Sequence, residues 1–161
     1  MAILVIEDSR LLRRATERSL VKAGYDVVAV GDGENGLRVA RETTPDLLLL
    51  DMILPILSGT CLLQQVKQDL CTKHIPVIVL SGLSPKNEAK LAKQGAAGYL
   101  EKSAELLRND SAPLLHAVER VLADAADTAF IPAVSTCASF DPGGRTLNLA
   151  VDSPPELLGT Q

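Results

Sequence analysis

Five short apolar runs, at residues 2–6, 26–30, 46–50, 76–80 and 97–100, recur along the chain with amphipathic stretches between them. Each has strand length, and their Val, Ile and Leu content suits strands covered on both faces, as in a parallel sheet. The first amphipathic stretch opens at Ser9, a good N-cap. It places Leu12, Ala15, Leu20 and Ala23 near one face before Gly24 stops it. The second uses Leu37 and Ala40, and the third Leu62, Leu63, Val66 and Leu70. The fourth runs from Pro85 to Gln94, with Gly95 as its stop. In the fifth, Leu115, Val118, Val121, Leu122 and Ala125 recur at helical spacing, with Ser111 as cap and Pro113 in the first turn. Five βα units over residues 1–124 predict a doubly wound α/β domain with helices on both faces.

Composition narrows this picture. A chain of 161 residues holds one ordinary domain plus an appendage. It has no Trp, so the core is aliphatic. A net charge of −4 offers no footprint for nucleic acid or an anionic membrane. The apolar start at residues 1–6 is too short for a signal peptide, and no run approaches a membrane span. Cys61, Cys71 and Cys137 are odd in number and lack metal-ligand spacing, which fits a reduced, cytoplasmic compartment.

The chemistry sits at strand ends. Glu7 and Asp8 close the first strand, and Asp51 closes the third. Side by side, these strands would crowd three carboxylates at one edge of the sheet. Two like charges about 4 Å apart repel by roughly 4 kcal/mol at an effective dielectric of 20. Such a cluster persists only with a bound cation or raised pKa values. Oxygen ligands of this kind suit Mg2+. In doubly wound sheets the functional crevice lies where strand order reverses, between strands one and three for the order 2-1-3-4-5. A flavin phosphate in that crevice would need a loop offering N–H groups. Glu7 and Asp8 would repel it instead.

Several pieces occur together, in order and on the right element ends. They are Glu7-Asp8, the loop from Asp51 through Pro55 to Gly59 (D-x-x-x-P-x-x-x-G), Ser81, and Tyr99-Leu100-Glu101-Lys102. Over residues 1–124 the chain resembles a two-component response-regulator receiver domain, the CheY-like family. The resemblance implies a flavodoxin-like sheet of order 2-1-3-4-5. It implies Asp51 as the phosphoacceptor, whose carboxylate attacks phosphorus to give an acyl phosphate. Asp8 and Asp51 would bind Mg2+ directly, Glu7 directly or through water, and the Ile53 carbonyl would complete the protein ligands. Lys102 and Ser81 would contact phosphoryl oxygens, and Tyr99 would be the switch aromatic that turns with Ser81. Ile53 and Leu83 would border the path of hydrolytic water. A histidine kinase or phosphotransfer protein would be the donor, and a downstream protein the target.

The chain departs from the family pattern after Lys102, where Ser103 replaces the usual proline, and in the long connection from Ser103 to Ala112. Residues 125–161 form a tail rich in Ala, Ser, Thr, Pro and Gly, with Arg145 its only basic residue. A DNA-reading output domain would need more. The tail is expected to be disordered or to form a short hairpin about Asp141-Pro142-Gly143-Gly144. Two functions compete: a stand-alone receiver, or a regulatory or phosphate-sink receiver beside a hybrid kinase. Met1 directly on strand one favours the first. A substrate-turnover enzyme of the HAD phosphatase kind wants a second Asp two residues after the nucleophile, where Ile53 stands.

Overall fold

The computed structural model describes residues 1–82, 88–103, 106 and 111–128. Strands and helices alternate: β1 (Ala2–Ile6), α1 (Arg10–Lys22), β2 (Asp26–Val30), α2 (Gly33–Thr43), β3 (Leu47–Asp51) and α3 (Gly59–Gln68). They continue as β4 (Val77–Ser81), α4 (Glu88–Lys93), β5 (Gly98–Glu101) and α5 (Ala112–Thr128). The five strands form one parallel sheet in the order β2-β1-β3-β4-β5. This is the expected fold.

Strand periodicity divides the core in two. Leu48 and Leu50 face Leu37 and Ala40 of α2 and Leu62, Leu63 and Val66 of α3. Leu47 and Leu49, pointing the other way, pack with Leu20 of α1 and with Leu114, Val118, Val121 and Leu122 of α5. All four leucines are fully buried. Cutting one of them to Ala would cost about 2–5 kcal/mol.

The helix starts follow their caps. Ser9 accepts from Leu12 N–H, Asp32 from Asn35 N–H and Ser58 from Cys61 N–H. Gly24 and Gly95 take the left-handed conformation just beyond α1 and α4.

Several expectations need correction. Strands β3, β4 and β5 lie about one residue later than their apolar runs, so Asp51 and Ser81 are themselves strand residues. A strand is bounded by its ladder rather than by side-chain polarity: Met52 N–H still donates to Leu80 O at 3.1 Å. On α1 the buried positions are Thr16, Ser19 and Leu20, while Ala23 is exposed. Thr16 and Ser19 lie on the arc that faces the sheet. Leu70 falls beyond the end of α3 and is exposed. Helix α5 runs past residue 124 to Thr128. The proposed hairpin and the rest of the tail lie outside the described residues, as does Leu83. The Lys102–Ser103 peptide is trans. No helix among the described residues is long and apolar enough to cross a membrane.

Candidate functional site

Ile6 pairs with Leu50 across β1 and β3, so the residues that follow, Glu7 and Asp51, reach the sheet edge side by side. Carboxylate oxygens of Glu7, Asp8 and Asp51 lie within 4.8 Å of one another. Glu7 and Asp51 are each 1% exposed, whereas Asp8 is open to solvent. The cluster is therefore walled in on two sides and accessible at the third.

Each buried acid is held by the backbone. Glu7 N–H donates to Val30 O at 3.1 Å, and Glu7 Oε1 accepts from Ser9 N–H at 3.2 Å. Asp51 Oδ1 accepts from Ile53 N–H at 3.0 Å. Gly59 N–H closes the loop onto Met52 O at 3.1 Å. A side chain at Gly59 would collide with the Asp51 carbonyl and the Met52 backbone, so the loop can return here only as glycine. Within this loop Ile56 is 90% exposed and sits at φ 70°, a conformation that β-branched residues rarely adopt.

Lys102 follows β5, and its N–H donates to Ser81 O at 2.9 Å. That bond sets its side chain into the cluster. Its Nζ is 2.7 Å from Asp51 Oδ2 and 2.8 Å from Glu7 Oε2. Both oxygens are buried, and at these distances the ammonium contacts are charge-assisted. Burial pulls the Lys102 pKa down, but the two carboxylates more than reverse this and leave it raised. Burial raises the Glu7 pKa, as does repulsion from Asp51, and Lys102 only partly opposes them.

One ammonium does not balance three carboxylates. With all three ionised the cluster keeps excess negative charge. An all-oxygen donor set with one side open to water fits Mg2+.

The structure brings together Glu7, Asp8, Asp51 and Lys102, with Ile53 bound to Asp51 through its N–H. Ser81 ends β4 beside them and is buried. Tyr99 lies on β5, partly buried against the core on the α2–α3 side. One neighbour escaped the sequence reading: Arg13, whose Nη1 donates to Glu7 O at 2.8 Å and to Asp8 O at 3.3 Å. Its only signal was a basic residue one turn into the helix that follows the acidic pair.

The model of the response regulator receiver domain matches residues 3–110. The polar-differentiation response regulator DivK of Brucella anthropi is 30% identical over 108 residues, 66% of this chain and 88% of DivK. The probable transcriptional regulator ycf27 of Porphyridium aerugineum is 34% identical over 101 residues, 62% of this chain but 41% of that protein. The chain thus spans less than half the length of some curated relatives. Among solved structures, a putative response regulator from Chloroflexus aurantiacus is 31% identical with a TM-score of 0.66, covering 76% of this chain and 97% of its own. The chemotaxis response regulator CheY4 of Vibrio cholerae is 26% identical with a TM-score of 0.67, covering 74% and 97%. With its sheet order, its acidic cluster and two thirds of its length matched, the chain belongs to the response regulator receiver domain family.

Proposed function

We propose that this chain is a phosphoacceptor receiver of a two-component phosphorelay in the cytoplasm, with Asp51 as the acceptor. The observation that carries this is the Lys102 ammonium 2.7 Å from Asp51, inside a cluster of three convergent carboxylates. The donor is a phosphohistidine of a kinase or phosphotransfer protein. An Asp51 oxygen forms the new O–P bond as the P–N bond to the donor imidazole breaks, and the imidazole leaves with the electron pair. Asp8 and Asp51 would hold Mg2+ directly, Glu7 directly or through water, and the Ile53 carbonyl would complete the set. When bound, the cation would offset carboxylate repulsion and the charge on the phosphoryl oxygens. Lys102 and the Ser81 hydroxyl bind phosphoryl oxygens. Tyr99 then follows Ser81 inward, and the changed surface alters binding to a downstream protein.

The relative DivK, spanned over 88% of its length, supports this reading over a phosphate-sink module beside a hybrid kinase. The test is intact mass after incubation with acetyl phosphate and Mg2+. Wild type should gain one phosphoryl group, Asp51→Asn none, and Asp8→Ala little, with no dependence on Mg2+. A full gain of mass in Asp51→Asn would remove Asp51 from its role.

A further inference from the structure

Arg13 lies on α1, yet its guanidinium reaches back to the end of β1. One nitrogen, Nη1, bridges two consecutive carbonyls, those of Glu7 and Asp8. With the Val30 and Ser9 contacts described above, the Glu7 peptide is then fixed at its N–H, its carbonyl and its side chain. Asp8 is exposed, and its carbonyl is held by Arg13.

The opposite wall is Gly31, between β2 and α2. It does not adopt the left-handed backbone, so conformational freedom does not explain a glycine here. Space does. A Cβ at this position would lie 2.7 Å from Arg13 Nη1 and 3.4 Å from its Cζ. An added Cβ would make the guanidinium shift from its seat on the two carbonyls, because the close contact falls on that group alone.

We propose that Arg13, seated against Gly31, is a positioning residue for the metal-binding carboxylates. It fixes the peptides of Glu7 and Asp8 so that their side chains converge on Asp51. The inference rests on the metal-binding reading of the cluster, and its sign separates it from simple electrostatics. Deleting a cation beside an acidic site strengthens cation binding through space. Deleting a positioning contact weakens it, on the order of tenfold for a residue that orients a ligand. The two effects oppose each other.

The experiment is an amide NMR titration with Mg2+ alone on the full chain, run alongside thermal melting. Arg13→Met should bind Mg2+ on the order of tenfold more weakly despite the lost positive charge. Arg13→Lys, which keeps the charge and one donor head, should recover part of that loss. Gly31→Ala should weaken binding with the arginine still present, which keeps the test open if Arg13→Met fails to fold. Combining Gly31→Ala with Arg13→Met should weaken binding no further than Arg13→Met does. Unchanged or tighter binding in Arg13→Met, or wild-type affinity in Gly31→Ala, overturns the role of Arg13. A wild-type protein that shows no saturable Mg2+ binding overturns the metal site itself and this inference with it.

Discussion

Lys102, just after β5, and Asp51, at the end of β3, form a 2.7 Å ion pair across the carboxyl end of the intervening β4, and the same ammonium lies 2.8 Å from Glu7. The pair gives Asp51 a fixed cation before any metal arrives. Lys102 and a divalent ion would then act on the same carboxylates, each reducing the electrostatic gain of the other. A compact ammonium on a flexible stem suits this position, because it can turn from a carboxylate to a phosphoryl oxygen.

Replacing Lys102 with Met should therefore move two quantities in opposite directions. Mg2+ should bind more tightly, because a competing positive charge is gone. Phosphorylation by acetyl phosphate should slow by about tenfold or more, because one phosphoryl oxygen loses its counter-charge. Mg2+ titration and the initial rate of mass gain measure the two effects. A variant that phosphorylates at the wild-type rate would show that the ion pair serves the resting structure alone.

The raised pKa of Glu7 fixes the sign of a pH effect in metal-free protein. Its causes are burial first and Asp51 next, with Lys102 opposing. A carboxyl that holds its proton more tightly when folded contributes stability below its unfolded value, near 4.5. That contribution is lost as pH rises through the folded value. The melting temperature of wild type should thus fall relative to Glu7→Gln as pH climbs from 4.5 toward neutrality. A gap that widens toward acid instead would contradict the assignment.

The acidic edge was legible in the sequence because strand-ending carboxylates follow apolar runs whose pairing is set by a parallel topology. Placing Glu7, Asp8 and Asp51 together also needed strands one and three to be neighbours, an order that came from the family resemblance and that the sheet has. Strand limits were less legible: a ladder includes any residue whose backbone pairs, so β3 and β4 absorb Asp51 and Ser81. The inward face of α1 was misread because two of its buried positions are hydroxyls. Ser19 reaches Ser111 at 2.9 Å, across 92 positions of sequence, and a polar residue with a distant partner looks like surface until that partner is known. Arg13 was invisible for a related reason, since its acceptors are carbonyls that every residue carries.

Removing residues 129–161 should leave the receiver folded and phosphorylatable. Among the described residues, five strands and buried helices on both faces already close a core within residues 1–128. The deletion is expected to affect only binding to a partner protein. Thermal melting and intact mass of the shortened protein check this, and loss of a cooperative transition would make the tail part of the core.

The lifetime of the phosphorylated state should be long. An acyl phosphate on Asp51 is lost when water attacks phosphorus in line, opposite the leaving carboxylate oxygen. Side chains that border that approach control the rate. By resemblance these are Ile53 and Leu83, two residues after the acceptor and two after the β4 hydroxyl. Ile53 spends its N–H on Asp51 Oδ1 at 3.0 Å, which anchors the residue beside the reacting carboxylate. The residue is 64% exposed, so it stands outside the core. Its side chain has no polar atom with which to orient a water molecule, and on this proposal its branched bulk would obstruct one. Loss of water positioning alone is worth about tenfold in rate, or about 1.4 kcal/mol of barrier. Purified phosphoprotein should accordingly decay slowly, and Ile53→Asn and Leu83→Glu should each speed the decay. If both variants decay no faster than wild type, apolar shielding does not set the lifetime.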